Sequence, residues 1–111
     1  MNIKRLKRLH EIVIKNRDLI DDTKWETCFL GFACKDEDFI NQGLVFKGLD
    51  NGTSLPYFDN WWTFDAGAAF FNITLKESLN LFSSKRIRSL ESFFGELIRL
   101  ISSEQQPCGA D

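Results

Sequence analysis

The sequence is short of cysteine, histidine and proline, and it has no long apolar run. Its three cysteines, Cys28, Cys34 and Cys108, are odd in number and fall at no framework spacing, so free thiols are expected and a disulfide-built scaffold is excluded. Zinc needs four Cys or His ligands in paired short spacings, and the single histidine, His10, leaves no such set. No metal site and no cofactor are expected. Gly48, Gly52, Gly67 and Gly109 do not form the glycine-rich loop that cradles phosphate. The apolar stretches are brief and broken by charge, which excludes a membrane span, and Met1-Asn2-Ile3-Lys4-Arg5 opens without a signal-peptide apolar region. A cytoplasmic location with no membrane partner is therefore expected. In that compartment the Asn-x-Thr triplets at Asn51 and Asn72 act as turn and capping chemistry. A formal net charge of -2 argues against a general polyanion binder.

What the chain does have is bulk. Its 111 residues are 43% hydrophobic and include 11 Phe and 3 Trp, enough to build one core and offset the entropy of ordering the chain. Residues 1–103 read as a single helical domain and 104–111, polar and containing Pro107 and Gly109, as a flexible C-terminal tail. Charge is uneven: the opening helix carries Lys4, Arg5, Lys7, Arg8, Lys15 and Arg17, whereas the stretch from Asp21 to Asp59 is acidic.

Hydrophobic periodicity predicts a mainly α (α+β) fold, a compact bundle of four to six short helices with one inserted β-hairpin. Ile3, Leu6, Leu9, Val13 and Ile20 mark an amphipathic helix over 3–20. A second helix is expected over Trp25–Cys34, with Gly31 allowing close approach of another element, and a third from Asp36 to near Gly43. Residues 44–47 and 55–58 flank Asp50-Asn51-Gly52, a hairpin signal that must pack on the helices to be stable. Trp61, Trp62 and Phe64 supply bulk for that packing. A helix over Phe64–Phe71 is expected to end at Asn72 in the left-handed region, followed by the capping box Thr74-Leu75-Lys76-Glu77. The next helix should bury Leu75, Leu79 and Phe82. A last helix over Ile87–Ser102 should bury Ile87, Leu90, Phe94, Leu97 and Ile101.

An ordered set of these residues resembles a family of small, uncharacterised bacterial and phage proteins. The set is Trp25; Cys28, Gly31 and Ala33; Gly43 and Leu44; Pro56 and Tyr57; then Ala68-Ala69-Phe70-Phe71-Asn72-Ile73-Thr74, Leu81 and Phe82, spanning residues 6–83. Family members often carry Cys-Gly-Thr just before the matched cysteine and a His after the glycine; here Glu26-Thr27 precedes Cys28 and Phe32 stands at the His position. The resemblance implies a fold class and names no reaction.

Several function classes are weighed on the residues. Cysteine catalysis would require His10 to reach Cys28 or Cys34, and nothing in the pattern demands it. Asp36, Glu37 and Asp38 project in different directions and suit a helix start. The leading expectation is a non-enzymatic interaction protein of bacterial, phage or mobile-element type that binds and occludes or regulates another macromolecule, for example a phage-encoded inhibitor of a host defence complex. Its partner-binding residues would be Tyr57, Phe58, Trp61 and Trp62, crowded beside the hairpin, with a core-capping role as the alternative for the same four. The second expectation is a small DNA-associated or transcriptional regulator. It would use the helix-turn-helix-like segment 64–82 together with Lys4, Arg5, Lys7, Arg8 and Lys76.

Overall fold

The computed structural model describes residues 1–21, 23–83 and 89–105. These form six helices and a small three-stranded antiparallel sheet, a mainly helical α+β architecture. In chain order they are α1 (Ile3–Asn16), α2 (Phe29–Ala33), α3 (Glu37–Asn41), β1 (Val45–Gly48), β2 (Ser54–Phe58), β3 (Trp61–Trp62), α4 (Thr63–Phe71), α5 (Leu75–Phe82) and α6 (Leu90–Gln105). None of the helices is long and apolar enough to cross a membrane among the described residues. The expected tail lies largely outside the described residues.

α1 buries Leu6, Leu9, Ile12 and Val13 along one stripe, and Asn2 caps it by accepting from the Arg5 amide. It stops at Asn16, short of the expected residue 20. The Asn16 side-chain amide donates back to the Ile12 carbonyl at 2.8 Å, and the Leu19 amide closes a turn on Asn16. The second helix is also shorter than expected. Residues 25–27 form turns, and Cys28 is an extended N-cap whose sulfur accepts from the Gly31 amide at 3.3 Å. Gly31 is needed here: a Cβ would stand 1.9 Å from the Trp25 carbonyl oxygen, in the path of the turn that feeds the helix. Asp36 caps α3 as the acidic helix start anticipated from sequence.

The hairpin β1–β2 forms around a loop of Asp50, Asn51 and Gly52, with Gly52 at φ +86. The Leu49 amide donates to the Thr53 carbonyl, and Asn51 holds both the Thr53 amide and its hydroxyl. A third strand, absent from the sequence reading, follows the turn Asp59-Asn60. Both turn residues have positive φ (48° and 69°), the type I′ geometry that matches strand twist, and Phe58 pairs with Trp61.

The α4–α5 corner follows the sequence closely. Asn72 adopts the left-handed conformation at φ 53, and the Ile73 amide reaches back to Ala68. Thr74 and Glu77 complete the reciprocal capping box. The buried face of α5 is not the expected one. Ser78, Leu81 and Phe82 point inward while Leu75 is exposed, because Ser78 donates its hydroxyl to the Phe64 carbonyl at 2.7 Å and turns the helix toward α4. The face of α6 is shifted as well. Phe93, Leu97 and Leu100 are fully buried, and Leu90, Phe94 and Ile101 pack at the margin. Phe93 stacks flat on Phe29 at 4.1 Å, which sets that rotation; Ile87 lies outside the described residues.

Two glycine substitutions test this packing in opposite directions. Gly31→Ala should lower unfolding stability by about 2–3 kcal/mol through overpacking against backbone, read by urea denaturation. Gly95→Ala, where an added Cβ meets no atom within 4 Å on α6, should raise it by roughly 0.5–1 kcal/mol.

Candidate functional site: the outer face of the sheet

Strand pairing decides which side chains share a face. β1 and β2 pair Val45 with Tyr57 and Lys47 with Leu55, while β2 and β3 pair Tyr57 with Trp62. Side chains alternate across a strand, so Val45, Lys47, Leu55, Tyr57 and Trp62 lie together on one face. Phe46, Pro56 and Phe58 lie on the other. Phe46 and Phe58 pack against the helical core, and the Phe58 ring meets Phe70 at 5.0 Å. The first set therefore makes the outer face.

On that face Tyr57 and Trp62 contact edge to face at 4.9 Å, and the Lys47 ammonium sits 4.2 Å from the Tyr57 ring centre and 5.9 Å from that of Trp62. The Tyr57 hydroxyl donates to Asn60 in the β2–β3 turn at 2.9 Å, fixing the ring. Trp61, on the edge strand, keeps 52% of its surface exposed. The backbone just after the tryptophans is strained at Thr63, a β-branched residue with φ 53.

Of the four aromatic residues singled out from sequence, the structure brings Tyr57 and Trp62 together on the outer face, turns Phe58 inward against the core, and places Trp61 on Phe58's side of the sheet, exposed at the edge. Lys47, Val45 and Leu55 were missed. The alternation from Tyr57 back through Pro56 to Leu55 carried that signal.

The basic residues separate into two groups. Arg5 donates to the Phe70 carbonyl at 2.7 Å and to Gln42 at 2.8 Å, and its guanidinium lies 4.0 Å over the Phe70 ring. Burial pulls its pKa down. Arg8 pairs with Asp36 at 2.7 Å and with Glu11 at 3.4 Å, and the hydrogen bond it donates to the Asp36 carboxylate pushes its pKa up. Both are thus engaged inside the molecule, whereas Lys4, Lys7 and Lys76 are exposed. Open grooves flank α1, two of which carry charged or apolar linings of note. One, of about 570 Å³, is lined by residues of both charge signs including Lys15, Lys35 and Glu37; the other, of about 430 Å³, runs past His10, Ile98 and Ile101.

His10 packs its ring against Phe94 at 5.0 Å. Cys28 and Cys34 are both buried. Among the described residues no group of three or more His, Cys, Asp or Glu side chains is placed to hold a metal.

Burial, with the neighbouring Cys28, pushes the Cys34 thiol from 9.0 up to about 12. The folded chain keeps this proton at pH values where the unfolded chain has released it. Stability should therefore fall as pH rises from about 9 toward about 12. Urea melts of the wild type and Cys34→Ala at pH 8 and pH 10.5 check this: the wild type should lose more stability between the two, and parallel losses would remove the claim.

Comparison of the chain with protein-family models, curated proteins and solved structures gives no match.

Proposed function

We propose that this chain is a small non-enzymatic interaction protein that binds another protein through the outer face of its sheet and so occludes or regulates it. One observation carries the reading: Lys47, Tyr57 and Trp62 are held against one another on a solvent-facing sheet surface, and Trp61, on the opposite side of β3, stays half exposed at the sheet edge. Tyr and Trp contribute large contact areas with few rotors to freeze, and they dominate interface energetics when a partner desolvates them. The strained helix entry at Thr63, next to Trp62, adds support, because such backbone persists where surrounding structure over-determines it and clusters at functional surfaces. The specific form we propose, suggested by the resemblance to small bacterial and phage proteins, is an inhibitor of a host complex acting in the cytoplasm.

The nucleic-acid reading has less support. Two of its five basic residues, Arg5 and Arg8, have their charges met by partners within the fold. The helix after the Asn72 turn starts with exposed Leu75, where a groove reader would place a polar group.

Affinity purification from the native host, followed by measured binding to the recovered protein, tests the proposal. Trp62→Ala should weaken the complex by about tenfold or more and Trp61→Ala, at the β3 edge, by a smaller factor, while the far-UV spectrum is kept. Unchanged affinity in both folded variants would contradict the choice of surface. Retention on duplex DNA at low salt, lost when Lys4 and Lys7 are neutralised, would favour the regulator instead.

A further inference from the structure

The backbone register exposes a second feature of the same sheet. Leu49 donates to Thr53, so residues 49, 47 and 45 of the first strand turn their amides and carbonyls toward β2. The intervening residues, Phe46 and Gly48, turn theirs outward from the sheet edge. Pro56, which has no amide hydrogen, fits this parity: it faces Phe46, where no β1–β2 bond is made. Among the described residues neither Phe46 nor Gly48 has a hydrogen-bond partner across that edge. The edge has a defined start, because the Leu44 amide is already donated to the Phe39 carbonyl at the end of α3. Gly48 presents bare backbone: a Cβ there would meet only the Ser54 hydroxyl, at 3.9 Å. Between the two open positions stands exposed Lys47, the only charged residue of β1.

We propose that the β1 edge accepts an extended acidic peptide as a fourth strand, with a carboxylate opposite Lys47; this rests on the proposed function and names the partner's chemistry. Phe46 and Gly48 would supply main-chain donors and acceptors to the added strand. Lys47 would stand in a non-hydrogen-bonded cross-strand position, where side chains approach most closely, so an opposite charge there is favoured and a like charge is penalised. The same charge disfavours a second copy pairing antiparallel about Lys47, because it would bring two ammonium groups together. A peptide strand laid on this edge would also extend the outer face that carries Tyr57 and Trp62.

The test is an amide-resolved NMR titration of the full chain with the pentapeptide acetyl-Thr-Val-Glu-Val-Thr-amide and with its Glu-to-Lys counterpart. The acidic peptide should shift and protect the Phe46 and Gly48 amides, binding about fivefold more tightly than the lysine peptide. Lys47→Glu should reverse that order. Gly48→Pro removes an outward amide without touching the β1–β2 bonds and should weaken acidic-peptide binding by about tenfold. The proposal is overturned by equal binding of the two peptides, by no shift at Phe46 and Gly48 at millimolar peptide, by shifts confined to the helices, or by concentration-dependent shifts of the edge without peptide, the sign of self-pairing. If the edge fails while Trp61→Ala and Trp62→Ala still weaken a recovered complex, only this inference falls. If the edge binds peptide while those variants leave the complex intact, the proposed surface falls.

Discussion

Phe70 and Phe71, at the end of α4, are the point through which the elements are held together. Phe70 meets Phe58 of the sheet at 5.0 Å, Phe39 of α3 at 4.8 Å and its neighbour Phe71 at 5.1 Å. From Phe71 the contacts continue to Phe82 on α5, then Phe93 on α6, and finally Phe29 on α2. Each fully buried ring contributes about 1.5–3 kcal/mol by leaving water, and edge-to-face pairs add roughly 0.5–1.5 kcal/mol. α1 is fixed to the same place by polar groups: the Asn2 amide donates to the Phe71 carbonyl, and Arg5 donates to the Phe70 carbonyl while lying on its ring. Those carbonyls belong to the last turn of α4 and have no intrahelical partner of their own, so a cation there satisfies both the hydrogen bond and the helix dipole.

That arrangement explains how so small a sheet persists. A lone two-stranded hairpin is marginal in water, and β3 adds only two residues, but the inner face of this sheet is seated on the helical core through Phe58 and Phe46. Seating one face leaves the other free, and the alternation of the strands puts Tyr57, Trp62 and Lys47 there. The same physical fact therefore stabilises the sheet and presents its aromatic surface. Strain at Thr63 is tolerated because β3 leads directly into α4, whose far end is anchored by the ring cluster.

Much of this was legible in the chain. Local signals with their own chemistry read correctly: the stripe of α1, the Asp36 cap, the Asn51-Gly52 loop, the Asn72 helix end and the Thr74–Glu77 box. What failed depended on contacts distant in sequence. The stacking of Phe93 on Phe29 rotates α6, and the Ser78 bond to Phe64 rotates α5; neither partner can be inferred from a 3.6-residue pattern. Cys28 falls inside the helix expected over Trp25–Cys34, but in the structure its sulfur is the cap that starts the helix after it. β3 was missed because Asp59-Asn60 lacks the glycine that usually marks a two-residue turn. For the site, the crowding of Tyr57, Phe58, Trp61 and Trp62 was visible, but assigning Phe58 inward and Lys47 outward required the register of the sheet.

The central claim is that one aromatic interior, centred on Phe70, holds sheet and helices as a single unit. Urea unfolding of Phe70→Leu beside the wild type, followed at once by tryptophan fluorescence and by far-UV circular dichroism, tests it most directly. With Trp25→Phe placed in both chains, Trp61 and Trp62 of the sheet are the remaining tryptophans, so fluorescence reports on the strands and ellipticity on the helices. The account predicts that both signals shift together to lower denaturant, by about 1–3 kcal/mol, and stay coincident. A fluorescence transition that separates from the helical one, or a loss confined to the sheet, would contradict it.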